Sequence, residues 1–214
     1  MAETVNPIDV ANADLLLSST RAVRRRLDFD KPVEREVVIE CLRLAVQAPT
    51  GANAQTWRWM MVADQASRER IAEIYREEGL PYLESGYSAA TDRQQRRIFE
   101  SALYLAHNLE RAPLHVIPCL SGGVDFADQA DMIGALGSVM PAVWSFQLAL
   151  RSRGLGSAWT TLHLTQADTV ADLLGIPEDV TQIALLPVAY TKGLDFRPAK
   201  RRPVEEITYW DQWG

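Results

Sequence analysis

The chain is poor in the residues and motifs that most enzymes display. It has two cysteines and three histidines in 214 residues. Cys41 and Cys119 fall in apolar segments, one helix-like and one strand-like, where a thiol packs as a small hydrophobe. That excludes a disulfide framework and Cys/His zinc spacing. His107, His115 and His163 lie far apart and outside any local ligand motif, so structural or exposed histidines are expected and a metal site is not. There is no nucleophile elbow: "SGG" at Ser121 and "GSV" at Gly137 lack the G-x-S-x-G context. A P-loop and a G-x-G-x-x-G fingerprint are also missing, and "GLG" at Gly154 reads as a helix terminator. No side chain is therefore assigned a catalytic role.

Positive charge is in short supply as well. With 28 acidic against 22 basic residues the net charge is −6, and without a broad cationic face neither nucleic acid nor an anionic membrane is an expected partner. The opening "MAETVNPIDV" carries acids where a secretory signal needs a basic start and an apolar run, so a cytoplasmic location is expected. Residues 132–150 are free of charge over a length that could span a bilayer. They contain Ser138, Pro141, Ser145, Gln147 and two glycines, which reads as a central helix buried on nearly all sides. A composition of 47% hydrophobic and 23% charged residues suits a single domain, 1–214.

What is present follows an irregular alternation. A short helix over 9–18 leads to a basic turn, "TRAVRRR". In "DKPVEREVVIECLRLAVQAP", Pro32 suits a first helical position, Glu34 and Glu36 the first turn, and Val38, Cys41, Leu42, Ala45 and Val46 keep helical spacing. Pro49 should stop that helix at Ala48. A polar decapeptide, "APTGANAQTW" (48–57), leads into an aromatic strand over 57–63. A surface helix over 67–78, with Ile71 and Ile74 inward, gives way at 79–90 to a pattern that predicts a mobile loop or lid. Helix returns with Ile98, Ala102, Leu105 and Leu109 on one face. A strand at 114–120 and the apolar helix, 131–153, follow. "GLGSAWTTLHL" is β-like; Thr165 and Asp168 suggest an imperfect capping box, and Gly175 a helix end. "QIALLPVAY" reads as one buried strand and the remainder as an extended tail. The order favours an α+β fold over a doubly wound sheet.

Two features invite chemistry. Arg21, Arg24, Arg25 and Arg26 cluster near one end, and Arg197, Lys200, Arg201 and Arg202 near the other. Solvated surface charge is the plain explanation; a shared anion such as a phosphomonoester is the other, since guanidinium groups bind one bidentately. Asn53, Gln55, Thr160 and Thr161 can donate and accept hydrogen bonds. Together these suit a ligand with a phosphate tail and a hydrogen-bonding ring, as a flavin has.

From "STRAVRRRLDFDKPVEREVVIECLRLAVQAPTGANAQTWRWMMV" through "RGLGSAWTT" and "IALLPVAYTKG" to "RRPVEEITYWDQW", the sequence resembles the FMN-dependent nitroreductase family. Four loose motifs in family order carry the resemblance, which is weakest over 79–111, a probable lid or variable region. It implies a nitroreductase-like fold: a central, mostly antiparallel sheet flanked by helices, a long buried central helix, an extended C-terminal tail, and an intertwined homodimer with FMN at the interface. Thr20, Arg21, Ala22, Val23 and Arg24 stand where the family has Arg-Arg-Ser-x-Arg. By resemblance Arg21 and Arg24 hold the flavin phosphate and ring, and Ala22 contributes main-chain contacts. Thr20 and Ala22 depart from the pattern, which throws weight on Arg25 or the tail. Thr50, Asn53 and Gln55 match the polar positions of Ala-Pro-Ser-x-x-Asn-x-Gln-Pro-Trp, while Thr56 replaces the proline. Asn53 would reach the pyrimidine edge, Thr50 and Gly51 would border the partner subunit's cofactor, and Trp159, Thr160 and Thr161 would run along the ring. Arg201 is the implied tail cation at the phosphate, with Lys200 and Arg202 as competitors.

The activity so implied is ping-pong hydride transfer from NADH or NADPH to a small electron-poor acceptor such as a nitroaromatic, quinone or enone. Within the family stand reductive dehalogenation and flavin fragmentation. The dehalogenase lid uses Glu, Tyr and Lys; here the Lys position falls near Ala106, and Tyr75 or Tyr82 is a loose candidate for the Tyr. Outside catalysis stand a flavin-storing or flavin-sensing dimer and a cofactor-free interaction module.

Overall fold

Four aspartates mark where helices begin. Asp9, Asp64, Asp92 and Asp128 each stand one residue ahead of a helix and accept main-chain N–H groups of its first turn, meeting donors that have no partner within the helix. They open α1 (Val10–Ser19), α3 (Gln65–Ala89), α4 (Arg93–Ala106) and α5 (Gln129–Ser152). Two further helices, α2 (Arg35–Ala45) and α6 (Ala167–Leu174), lack a side-chain cap. These elements come from a computed structural model that describes residues 8–213. The N-terminal stretch read against a secretory signal lies, up to residue 7, outside the described residues.

The strands are β1 (Leu27–Asp28), β2 (Trp57–Val62), β3 (Leu114–Ser121), β4 (Leu155–Ser157), β5 (Val180–Gln182) and β6 (Leu186–Thr191). All pairings are antiparallel, in the order β1-β6-β3-β2, with β4 on β6 and β5 on β3. The α+β expectation and the antiparallel sheet are both met. Strand β3 is buried from Leu114 to Leu120 because helices cover both faces. Val116 and Leu120 join a core with Val38, Cys41, Val143, Phe146 and Leu150 of α2 and α5. Ile117 and Cys119 point the other way, to Ile71, Ile74 and Leu105 of α3 and α4. The period-2 alternation of a strand thus feeds two cores. Burial raises the pKa of both thiols, Cys119 to about 12, which keeps them unreactive.

The structure corrects several expectations. Residues 79–90 are not a loop: α3 continues to Ala89 and packs on α4 as a helical hairpin. Gly86 lies where a β-carbon would come within 2.2 Å of the Phe99 ring, so that glycine serves close helix packing rather than flexibility. Pro81 is exposed, and the Glu77 carbonyl that it cannot satisfy can be met by water. Ile98 is exposed rather than inward. Pro32 precedes α2, which starts at Arg35, and α2 ends at Ala45 rather than Ala48. Thr165 caps nothing: its hydroxyl donates to the Leu162 carbonyl within a 3₁₀ turn (Leu162–Gln166), and α6 begins after Gln166, closing at Gly175 in the left-handed region. "QIALLPVAY" is split between β5 and β6, because the chain turns between them to bridge Leu185 to Thr160.

Helix α5 is long and apolar enough to cross a membrane by length and composition. Val139, Val143, Phe146 and Leu150 lie in the core, yet Ile133, Met140 and Trp144 are 58%, 46% and 42% exposed. The expectation of burial on nearly all sides is therefore wrong for a single chain. An apolar stripe, spaced 7 and 4 residues apart on one helical face, is left uncovered.

Candidate functional site

The basic turn is laid on the sheet by its one buried residue. Val23 is buried, and its N–H donates to the Ser157 carbonyl at 2.8 Å. At Gly156 an added β-carbon would lie 2.9 Å from Val23 and 2.7 Å from Thr191, so glycine permits this close approach. The flanking arginines then part company. Arg25 pairs with Glu100 at 3.0 Å and covers the Tyr104 ring; Arg26 pairs with Asp195 at 2.6 Å and lies over Phe196. Arg21 donates to the Arg197 carbonyl at 3.1 Å, tying the turn to the start of the tail. Ala22 is exposed.

Arg24 differs from all of these. It turns inward toward α3 and α4, where Nη1 donates to Ser101 Oγ at 3.4 Å, and it has no carboxylate partner among the described residues. Burial lowers its pKa while the neighbouring Tyr75 raises it; an arginine stays protonated through such shifts. Tyr75 is itself buried on α3, which raises its pKa, so its phenol is protonated at neutral pH. The Thr160 hydroxyl faces Tyr75 without making a hydrogen bond of full geometry. Thr160 is fixed by its main chain, which exchanges hydrogen bonds with Leu185 at 3.1 and 2.8 Å. Trp159 packs toward the α2 and α5 core, and Thr161 is exposed. Arg24, Tyr75, Ser101 and Thr160 thus form a niche that holds one positive charge and several hydroxyls.

The decapeptide forms a second group. After α2 the chain makes a 3₁₀ turn, Gly51–Asn53, in which Ala52 and Asn53 have φ of 49° and 55°; Gln55 follows at 51°. Gly51 N–H donates to Ser138 Oγ of α5 at 3.1 Å, and Trp57 Nε1 donates to the Ser138 carbonyl at 2.8 Å. Asn53 and Gln55 are exposed and joined by a 3.0 Å side-chain hydrogen bond. The Thr50 hydroxyl is buried without a partner, beside an open cleft of about 350 Å³ that Gly51, Thr56, Ser121 and Ser138 also line. Among the described residues no hydrogen bond or ion pair joins this group to the Arg24 niche.

The tail is a third piece. Lys200, Arg201 and Arg202 are exposed and unpaired with any carboxylate among the described residues; Arg201 donates only to the Lys200 carbonyl at 3.4 Å. Beyond them Trp210 and Trp213 are 84% and 87% exposed. Within one chain, therefore, the structure gathers Arg24 with Thr160, gathers Thr50 and Gly51 with Asn53 and Gln55, and leaves the tail cations apart from both.

Ser101 and Ser138 were not expected as parts of the site, and Tyr75 was expected only as a loose candidate for a lid tyrosine. Ser138 had a signal, since a serine in an otherwise charge-free helix needs a reason. Ser101 gave none beyond sitting one residue from an apolar position, and nothing in the sequence placed Tyr75 beside Arg24. Ala106, where a dehalogenase lysine was expected, is fully buried, and Tyr82 is exposed. No group of three His, Cys, Asp or Glu side chains among the described residues could hold a metal ion.

The chain is 27% identical to iodotyrosine deiodinase 1 of Rattus norvegicus over 198 residues, covering 90% of this chain and 67% of that protein. A crystal structure of oxidized iodotyrosine deiodinase bound to FMN and 3-iodo-L-tyrosine matches with a TM-score of 0.71 at 25% identity, covering 92% of this chain and 98% of that one. Identity is 28% to 5,6-dimethylbenzimidazole synthase of Rhodospirillum rubrum (91% of this chain, 85% of that protein) and 25% to NADH dehydrogenase of Thermus thermophilus (98% and 100%). The sequence model of the Nitroreductase family matches residues 17–190, and the chain belongs to the Nitroreductase family.

Proposed function

We propose that the chain is an FMN-dependent oxidoreductase that takes electrons from NADH or NADPH and delivers them, in a ping-pong cycle, to a small electron-poor acceptor such as a nitroaromatic, quinone or enone. The observation that carries this reading is Arg24: a half-buried guanidinium with no carboxylate among the described residues is costly unless an anion or electron-rich group completes it. The donor set fits FMN. Arg21, Arg24 and the tail cations Lys200, Arg201 and Arg202 suit the phosphate and the ring's electron-rich edge. The unpartnered hydroxyls of Thr50 and Thr160, with Asn53 and Gln55, suit the ring's carbonyls and nitrogens. Bound FMN supplies the redox chemistry that no side chain here provides.

The protein's own contribution is position and charge. The Arg24 cation favours any negative charge that develops beside it, and strongly so because the niche is poorly solvated. Tyr75, protonated at neutral pH, keeps a neutral donor at the same place. The decapeptide and the Arg24 niche share no hydrogen bond or ion pair among the described residues, which suits a ligand held between two subunits. The exposed stripe of Ile133, Met140 and Trp144 and the uncovered tail tryptophans supply apolar surface for such a homodimer.

A scan of the purified protein between roughly 350 and 500 nm, followed by anaerobic titration with each nicotinamide, tests the reading. A yellow protein bleached by NADH or NADPH and restored by a quinone is expected. A colourless protein that takes up no FMN overturns it, and a flavin that no nicotinamide reduces points to storage or sensing. Similarity to iodotyrosine deiodinase favours a second reading, reductive dehalogenation. Release of iodide from 3-iodo-L-tyrosine by the reduced protein separates it from the first.

A further inference from the structure

Three non-glycine residues in a span of four hold left-handed backbone in the decapeptide: Ala52, Asn53 and Gln55. Each costs free energy because its β-carbon crowds the following carbonyl, and such conformations persist only where the surroundings over-determine them. Three hydrogen bonds of this loop are its own: Asn53 N–H to the Thr50 carbonyl, Ala54 N–H to the Gly51 carbonyl, and the exposed link between the Asn53 and Gln55 side chains. Its end is held to the sheet, where the Thr56 carbonyl accepts from Ser121 N–H at 3.0 Å and Oγ at 3.2 Å and the Gln55 carbonyl from Arg58 at 3.4 Å; the strained Ala52 and Asn53 lie ahead of those ties. The tie to α5 runs through Ser138, which is 9% exposed. Its hydroxyl donates to the Gly134 carbonyl at 3.0 Å, an i−4 bond that aims a lone pair outward, and there it accepts Gly51 N–H at 3.1 Å.

We propose that Ser138 is a positioning residue for flavin binding: it holds the strained decapeptide in the conformation that presents Thr50, Asn53 and Gln55 to the ring. The proposal rests on the flavin reading and deepens it. Helix α5 carries Ser138 on the side of the loop and Ile133, Met140 and Trp144 on the side left open to a second subunit. The helix that meets the partner thereby also sets the loop that meets the partner's cofactor. Replacing the serine by alanine removes one tie cleanly, because the Trp57 indole bonds to the main-chain carbonyl of residue 138 and keeps its acceptor. Gly51 N–H then has no partner, the loop samples relaxed conformations, and apparent affinity falls by the fraction of time that the competent one is lost.

The test uses apo-protein of the full chain and measures FMN affinity by quenching of flavin fluorescence, Gly51 amide exchange, and apo melting temperature. Ser138→Ala is expected to weaken FMN binding by roughly tenfold to a hundredfold and to speed Gly51 exchange, with little change in melting, the span that one lost hydrogen bond with an orphaned donor allows. Faster Gly51 exchange with unchanged FMN affinity overturns the proposal. Wild-type Gly51 exchanging as fast as Ala52 overturns it too. A wild-type protein that binds no FMN sinks the flavin reading itself, while Gly51 protection still reports whether Ser138 holds the loop. Should the variant not fold, the wild type decides: FMN must slow Gly51 exchange, and no change counts against the proposal.

Discussion

The two halves of the candidate site are held in opposite ways. The Arg24 niche is built of side chains projecting from rigid elements, with Val23 stitched to β4, Tyr75 and Ser101 on two packed helices, and Thr160 bridged to Leu185. The decapeptide is built of main chain in unfavourable conformations, with Asn53 and Gln55 exposed and a serine behind it. One half is pre-organised by burial and the other by restraint, so they should fail under different insults. Acid, charge removal and overpacking attack the first; local changes in backbone preference attack the second.

Acid should have the largest effect. His115 on β3 and His163 in the 3₁₀ turn after Thr160 are both fully buried, and burial holds each pKa down at about 4. His115 gives one ring nitrogen to the Leu109 carbonyl at 2.9 Å, with Arg68 further disfavouring its charge and Glu110 opposing; His163 feels His115 and has no hydrogen bond on either nitrogen. The unfolded chain takes up these protons near pH 6.5 and the folded one only near 4, so the stabilisation is complete above 6.5 and drains away as pH falls toward 4. The loss by then is on the order of 3 kcal/mol per imidazole. Melting temperature should therefore drop steeply below about pH 6, with amides of α3 and β3 losing protection before those of α2. A flat profile to pH 4.5 would show that the two rings are not held neutral.

Removing the Arg24 charge comes next. Arg24→Leu should weaken FMN binding by about 2–3 kcal/mol, the range for a charge-assisted hydrogen bond. The same change should leave the apo-protein as stable as the wild type or more so, because it takes away a half-buried cation that has no carboxylate partner among the described residues. Equal FMN affinity in the two proteins, read by fluorescence titration, would exclude Arg24 from the site. Gly86→Ala is a smaller insult to the same half. Its β-carbon cannot coexist with Phe99 where that ring now stands, so a cost of about 1–3 kcal/mol and a lower melting temperature are expected. FMN affinity should move with it only if the α3–α4 hairpin holds Tyr75 and Ser101 in place.

Much of this was legible from local chemistry. Turn residues and apolar periodicity located α1, α5, β2 and β3 to within a residue or two, because those elements are chosen by neighbours in sequence. The failures share a cause: they depend on what lies across the fold. Gly86 reads as a helix breaker until Phe99 is seen beside it, and "QIALLPVAY" reads as one strand until Leu185 is found turning toward Thr160. The site divided the same way. Arg24, Thr50 and Asn53 belong to a recognisable order of motifs, whereas the lack of a carboxylate partner for Arg24 among the described residues, and the hold of Ser138 on Gly51, exist only in three dimensions. The exposed faces of α5 and the tail were legible only as apolar sequence, since which apolar residues stay exposed depends on what the fold brings beside them.

The smallest expected effect separates backbone from side chain in the decapeptide. Asn53 sits at φ 55°, which asparagine tolerates better than most residues because its short amide can bond locally; here that bond is to Gln55. Asn53→Leu loses both the amide and the tolerance, so FMN affinity should fall by about 1–2 kcal/mol with the fold intact. Asn53→Gly loses only the amide and keeps the left-handed conformation at no steric cost. If the amide reaches the flavin, the two variants bind FMN about equally poorly. If Asn53 matters through its backbone alone, glycine binds FMN as well as asparagine does while leucine does not, and the role of this residue passes from recognition to shape.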